Sequence, residues 1–597
     1  MLFAFRFCLL LLSFSGYALF VTQKYQIRVE FAPALFCAWG SVVLFAAGLI
    51  NCLPAAVFLL FVGGFALLAL AARKKYFFTK QDALKYAGFL ALLIYFFILM
   101  QGAHFVSYDN FSHWATVVKD MLNVDRMPNF EDSLIRFQSY PLGSSLFIYY
   151  ICKVIGASDA CLLWGQLLML LSFLFCVYAF AQKKNLYTAL AALLYGIWAL
   201  TANNHIYELR VDTLLPVVGV GAFAYIFYYK KESEKAILGS AAMFVLLIQI
   251  KNSGIFFYAV CVICLAAGAW DYCKKHRAYF FSFSLLMPLG SMYLWKRHVA
   301  FSFSAGMDSK HSMNLAHFQQ VAAKKSAEEM RSIGIHILKQ FTSLKKLGTT
   351  PGAGMQTNKG LALLVLLLMF FMAMCLLSLL LRSRQAIYAV LCAGALNVGC
   401  FIVYTISVYA MYLFSMPPAE ASRLASFDRY MFSIYIFMYG LTVIFTLYGV
   451  RALQSSQSAA SFTVAIVACL LFVLPLNFCN RQLPTLVEKP AFADSKRNQL
   501  WRILEQAGIE KGASCAVYSN TTDTDKRYFY YLTRYELWSP KILSVNRNDF
   551  LENKKKLKKY DYLIVWDSDE LIDGYLRERG LSHYAGRSGI CVKLGSG

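Results

Sequence analysis

Eight consecutive residues, Ser107-Tyr108-Asp109-Asn110-Phe111-Ser112-His113-Trp114, bring a carboxylate, an imidazole and an indole together just after an apolar run at 86–102. That run is long enough to cross a bilayer. An acid at a membrane edge is costly unless it has a partner or a task. The tasks open to it are specific. A carboxylate can take the proton of an attacking hydroxyl, and Arg or Lys in a low-dielectric place can neutralise an anionic leaving group. Three other loops carry matching residues: Glu208, Arg210 and Asp212 beside His205, then Lys251 and Asn252, then Glu420, Arg423, Asp428, Arg429 and Tyr430.

These loops must be positioned by membrane-spanning helices. The 597 residues are 59% hydrophobic, 16% aromatic and only 15% charged, against roughly a quarter charged in a soluble protein. Apolar runs of spanning length recur at about 1–20, 31–51, 54–72, 86–102, 160–181, 186–203, 211–229, 235–250, 254–271, 279–296, 360–381, 386–412, 430–450 and 461–479. The expected architecture is an α-helical polytopic membrane protein of about fourteen spans. The net charge of +24 does not indicate nucleic acid. Much of it sits in short clusters between spans, such as Arg73-Lys74-Lys75, Lys183-Lys184 and Lys274-Lys275-His276-Arg277, which mark cytoplasmic loops. Alternation of these clusters puts 103–158, the loop before 211, the turn at 251, the loop 297–358 and the loop 417–429 outside. An uncleaved first span with its N-terminus outside fits the charges better than a signal peptide. The piece 140–156 is short for a span and contains a Lys, so it reads as a helix packed at the outer face. Residues 111–123 read as an amphipathic helix lying on the surface, with Trp114, Val117, Val118 and Met121 on one side, and 322–336 as a further helix in the long outer loop.

From about 480 the apolar runs shorten to strand length, at 515–518, 542–545, 562–566 and 590–594. Helical patterns at 496–507, 550–559 and 570–579 alternate with them. This alternation predicts a small α/β domain with a parallel sheet, expected to be extracytoplasmic. Its run Lys554-Lys555-Lys556-Leu557-Lys558-Lys559 reads as the solvated face of a helix. Cys515 and Cys591 fit either buried thiols or a bridge. The expected organisation is 1–85 as accessory spans, 86–479 as the membrane core and 480–597 as the α/β domain.

Several motifs in order, all on one side, resemble the GT-C class of polytopic glycosyltransferases, the superfamily of aminoarabinose transferases and protein mannosyltransferases. Asp109 follows a core span in a large outer loop. Tyr140-Pro141-Leu142 leads into an apolar piece ending in Ile155-Gly156. Glu208-Leu209-Arg210-Val211-Asp212 opens a span. Gln249-Ile250-Lys251-Asn252-Ser253-Gly254 is similar to the family's Thr-Lys-Gly turn. The likeness is good over 86–300 and loose elsewhere. Many relatives carry paired acids in the first loop, whereas here Asp109 is followed by Asn110, so a second acid would come from Glu208 or Asp212.

The resemblance implies a GT-C-like fold and an enzyme that takes a sugar from a polyprenyl-phosphate donor, with inversion. The acceptor would be an envelope glycan, lipid-linked polymer or protein at the outer face of the cytoplasmic membrane, with membrane lipid around it. On that reading Asp109 is the general base, and Arg429, Arg210, Lys251 and Arg423 bind the donor phosphate. Trp114, Tyr108, Tyr140, Glu208 and Asp212 contact sugar or acceptor. The resemblance makes no cofactor certain; Asp109 and His113, four apart, share a helix face and could hold a divalent cation. Plainer readings stand beside each role. Asp109 is a good helix N-cap, and His113 a structural hydrogen-bonder. Trp114 suits an interfacial anchor, Lys251 a snorkelling lysine, and Arg210 and Asp212 partners of each other or of Glu208. Asp428-Arg429 suits a cap with a membrane-edge Arg. A flippase or transporter of lipid-linked oligosaccharide, and a polymerase or ligase of surface polysaccharide, are the alternative functions.

Overall fold

The computed structural model describes residues 2–182, 185–203, 206–303, 315–342, 357–454 and 483–594. The expected span at 461–479, with Lys183, Lys184 and His205, lies outside them. Each of the other expected spans falls on helix. Eight helices among the described residues are long and apolar enough to cross a membrane, and five shorter apolar ones accompany them. Asp159–Tyr178 and Phe427–Arg451 are the most enclosed, with 89% of their apolar window buried, and they form the centre of the bundle. The polytopic helical membrane fold is therefore plain.

The two ends of the bundle differ. At one end Glu30, fully buried, accepts from Arg28 and Lys85, each at 2.6 Å. Arg28 also reaches the Tyr228 hydroxyl at 3.0 Å, and Lys230 that of Tyr448 at 3.4 Å. At the other end lie the helix breaks that carry Asp109, Arg210, Lys251 and Arg429. There Gly143–Ile155 lies across the bundle. Its first residue packs against Gln249, and Gly156 just beyond it touches Phe3, so it does not cross.

The C-terminal domain caps this second end. Its four strands are β1 (Cys515–Ser519), β2 (Ile542–Asn546), β3 (Tyr562–Val565) and β4 (Ile590–Lys593), in the order β2-β1-β3-β4. β1 pairs in parallel with β2 and β3, but β4 is antiparallel to β3, so the sheet is mixed and not wholly parallel as expected. An antiparallel edge strand on a parallel sheet is a common arrangement. Cys515 and Cys591 are free thiols. The basic run belongs to the helix Phe550–Leu557, with Lys555, Lys556, Lys558 and Lys559 exposed.

Two local expectations change. The 110–124 helix does not lie on a surface: Ala115, Thr116, Val117, Val118, Asp120 and Met121 are all buried. It is clamped beneath the domain's helix Asp523–Leu537, with Lys119 Nζ donating to the Tyr535 carbonyl at 2.6 Å and facing the Tyr535 and Trp538 rings. The helix expected at 322–336 divides in two, Leu315–Ala323 and Ala327–Thr342. Between them Lys325 caps the end of helix Arg384–Phe414 by donating to the carbonyls of Tyr412, Leu413 and Met416 at 2.8, 2.7 and 2.6 Å, as cations do at helix C-termini.

Arg497 fastens the domain. Its guanidinium is 3% exposed, pairs with Asp159 at 2.5 Å and Glu536 at 2.6 Å, donates to the Phe105 carbonyl at 2.9 Å and faces the rings of Phe105, Phe111, Trp501 and Tyr535. Removing one partner of a buried ion pair costs about 3–5 kcal/mol, because the charge left behind is uncompensated. Arg497→Ala is therefore expected to loosen the domain. Limited proteolysis should release a C-terminal fragment from the variant under conditions that leave the parent chain intact.

Candidate active site

Asp109 precedes a wide, π-helical turn, Asn110–Trp114, in which the Ala115 N–H bonds the Asn110 carbonyl five residues back. Such turns occur often at functional sites. The Asp109 side chain caps no helix. It accepts instead from Arg429 Nη1 at 2.9 Å, with Arg210 Nε 3.7 Å away. The capping alternative for Asp109 is thereby excluded. Asn110 is fully buried and its Oδ1 accepts from the Leu209 N–H at 3.0 Å. Asn110 thus ties the first loop to the segment carrying Glu208 and Arg210. Gln166 holds the same segment from the bundle core, through the carbonyls of Glu208 and Arg210 at 2.8 and 3.3 Å.

The charges form one chain. Arg210 Nε donates to Glu208 at 2.6 Å. Lys251, at the break between helices Ser233–Ile250 and Gly254–Gly268, donates to Asp212 Oδ1 at 2.8 Å. Arg429 Nε lies 3.6 Å from Asp212 Oδ2. Burial alone would raise the Asp212 carboxyl, but Lys251, Arg429 and Arg210 outweigh it and hold it down at about 2. Arg429 follows two residues in left-handed backbone, Leu424 and Ser426 (φ +49° and +62°). Non-glycine residues hold that conformation only where the surroundings over-determine it. The Tyr412 hydroxyl does so here, bonding the Ala425 carbonyl at 2.7 Å.

A cavity of about 470 Å³ opens at this cluster. Tyr108, Asp109, His113, Trp114, Tyr140, Asp212, Lys251, Arg423 and Arg429 all line it, with Glu420 and Tyr430. Of the residues singled out in the sequence, Glu208 and Arg210 stand behind the wall and reach the cavity through Asp109. Four further lining residues, Thr524, Asp525, Arg527 and Tyr528, come from helix Asp523–Leu537. They went unnoticed in the sequence because that helix was not expected. The available signal was its start: Thr522 followed by Asp523 and Asp525, a helix-opening pattern.

His113 is 4% exposed and surrounded by Trp114, Phe137 and Tyr140, with ring centroids 4.7, 5.6 and 5.0 Å away. Burial pushes its imidazole down to about 3, so it is neutral at physiological pH. Among the described residues no group of three His, Cys, Asp or Glu is placed to hold a metal ion. Trp114 and Tyr140 pack together at 6.0 Å, forming one aromatic wall of the cavity.

No family model and no curated protein matches the chain. A solved structure, ArnT from Cupriavidus metallidurans bound to undecaprenyl phosphate, aligns over 85% of this chain and 98% of its own, at 12% identity and a TM-score of 0.36. A likeness that loose carries no residue-level correspondence.

The depressed Asp212 carboxyl links stability to acid. Its contribution is complete above the ordinary aspartate value of 3.8 and is lost as the pH falls through about 2. With about two pH units of difference, it amounts to roughly 2–3 kcal/mol. Thermal unfolding in detergent between pH 5 and pH 2 should show the parent chain losing stability over this window. Asp212→Asn should start lower and lose correspondingly less.

Proposed function

We propose that this chain is a membrane glycosyltransferase. It moves a sugar, of hexose type, from a polyprenyl-phosphate donor to an envelope glycan, lipid-linked polymer or protein. Transfer takes place at the outer face of the cytoplasmic membrane, with the C-terminal domain extracytoplasmic. The observation that carries the reading is the Asp109–Arg429 pair at 2.9 Å on the wall of a cavity at one end of a membrane bundle. There a base and anion-binding cations stand within one sugar's width. The GT-C resemblance of the motifs points the same way.

The acceptor hydroxyl attacks the anomeric carbon while its proton passes to an Asp109 carboxylate oxygen. The bond from that carbon to the phosphate oxygen breaks, and the electron pair stays on the phosphate. The donor is a phosphodiester and the leaving group a phosphomonoester, so negative charge grows on the phosphate as the reaction proceeds. Arg429 and Lys251 stabilise that growing charge, with Arg423 at the rim and the charge of Arg210 behind the wall. A phosphate also competes with Asp109 for Arg429, which frees the carboxylate when the donor arrives. Attack opposite the leaving phosphate inverts the anomeric centre. Trp114 and Tyr140 offer ring surface to the sugar, and Asp212 keeps Lys251 and Arg429 in place. A transporter would carry its charges near the bilayer midplane; here they gather at one end, which favours the enzyme over a flippase.

The test uses purified protein and a labelled short-chain polyprenyl-phosphate sugar with membranes supplying acceptor. Sugar transfer with release of polyprenyl phosphate is expected from the parent chain. Asp109→Asn should lose about a hundredfold or more, the scale of general-base catalysis, while still binding polyprenyl phosphate. Undiminished transfer by that variant would remove Asp109 from the mechanism. Movement of intact donor across the membrane without release of phosphate would favour the flippase.

A further inference from the structure

A second groove, of about 370 Å³, runs along the flank of the C-terminal domain. It shares two wall residues, Tyr108 and Arg527, with the cavity at Asp109. The two spaces therefore adjoin, with Tyr108, the chain neighbour of Asp109, between them.

The groove's side chains have a consistent chemistry. Tyr108, Tyr531 and Tyr530 form a stepped series of half-buried rings leading away from Asp109. Tyr108 and Tyr531 meet edge to face with centroids 5.4 Å apart, and Tyr531 and Tyr530 do so at 5.1 Å. The Tyr530 hydroxyl is held from both sides by Arg136 at 3.2 Å and Arg534 at 3.0 Å. Asn553 stands on the wall with Asp549, to which it donates at 2.8 Å, and Lys526 pairs with the same carboxylate. Ser544, on the edge strand β2, contributes a buried hydroxyl that has no hydrogen-bond partner among the described residues. Leu543 is the one aliphatic side chain in the lining.

Ring faces backed by amide, carboxylate, hydroxyl and guanidinium groups suit a ligand that is apolar on its flat faces and rich in hydroxyls at its edges. A pyranose chain is such a ligand. An acyl chain or a peptide with apolar anchors would meet little aliphatic surface. We propose that this groove is the acceptor subsite and that the acceptor is a carbohydrate chain. Its reacting hydroxyl reaches Asp109 and its remaining sugars lie over Tyr108, Tyr531 and Tyr530. This inference rests on the glycosyltransfer reading for its role, but the binding it claims can be measured without any transfer.

The probe is the water-soluble oligosaccharide fraction released from the source cells' envelope by mild acid, with a tryptic digest of envelope proteins as the second arm. Binding to the full-length protein in detergent is followed by saturation-transfer NMR and by competition against labelled sugar transfer. The oligosaccharide fraction is expected to bind, and Tyr531→Ala to weaken it at least tenfold. Asn553→Ala, on the other wall and free of ring packing, should weaken it several-fold. Polyprenyl phosphate binding should stay within twofold in both variants. Oligosaccharide binding that neither variant alters, or no oligosaccharide binding, would overturn the proposal. Binding of the peptide fraction in its place, as strand addition along β2 would produce, would overturn it too. Oligosaccharide binding that both variants weaken, in a parent chain that transfers no sugar, would uphold the groove and defeat the enzymatic reading instead.

Discussion

Charge balance in a poorly hydrated place governs this end of the molecule. Three carboxylates, Asp109, Glu208 and Asp212, face three cations, Arg210, Lys251 and Arg429, through contacts of 2.6–3.7 Å. None could be left alone there without a cost of several kcal/mol. Each loop supplies only part of the set, so the loops must converge for any of them to be tolerated. Asp212 is the hinge of the arrangement, since Lys251 and Arg429 both lean on it. An anion entering the cavity exchanges one partner for another among cations already desolvated and oriented. Such preorganisation suits stabilisation of charge that develops during a reaction.

The backbone tricks around the cluster follow from that constraint. The wide turn at Asn110–Trp114, the helix break at Lys251 and the left-handed residues Leu424 and Ser426 each cost conformational energy. Each also aims one charged side chain at the same point. Local ties hold these features in place: Asn110 to Leu209, Gln166 to the Glu208 and Arg210 carbonyls, Tyr412 to Ala425, and Lys325 on the helix end behind Met416.

What could be read from the chain alone was what composition makes visible. Spans stand out against basic loops, and the strand-length runs of the last hundred or so residues stand out against the spans, so helix placement and the α/β domain were legible. The gathering of Asp109, Lys251 and Arg429 was legible as sidedness, because each interrupts or borders an apolar run at the same face. Their pairing was not: Asp109 and Arg429 are 320 residues apart, and no local pattern encodes such a contact. Asn110 read as a missing acid, and only its buried bond to Leu209 gives it a structural task. Helix Asp523–Leu537 escapes a sequence reading because its run Tyr528-Phe529-Tyr530-Tyr531 favours a strand by residue type, although Phe529, Leu532 and Tyr535 are buried at helical spacing. The antiparallel β4 was equally invisible, since strand direction depends on how the chain returns after Glu570–Glu578.

The opposite end of the bundle shows what a charge cluster looks like when it serves only to hold helices together. Glu30 is fully enclosed, Arg28 from its own loop and Lys85 from helix Lys80–Met100 pair with it, and the Tyr228 hydroxyl accepts from Arg28. At the domain-bearing end the cations are no more exposed than Arg28, but the carboxylate of Asp109 is left 29% exposed, beside a cavity, beneath a roof fastened by a buried arginine. Ion pairs alone do not mark the domain-bearing end as a site; the cavity beside them does. Packing that could have closed over Asp109, as it does over Glu30, is instead held back by the rings of Tyr108, Trp114 and Tyr140 and by the domain above. That retained volume, next to an acid whose partner an incoming anion can displace, is the physical basis for reading this end as a site of chemistry.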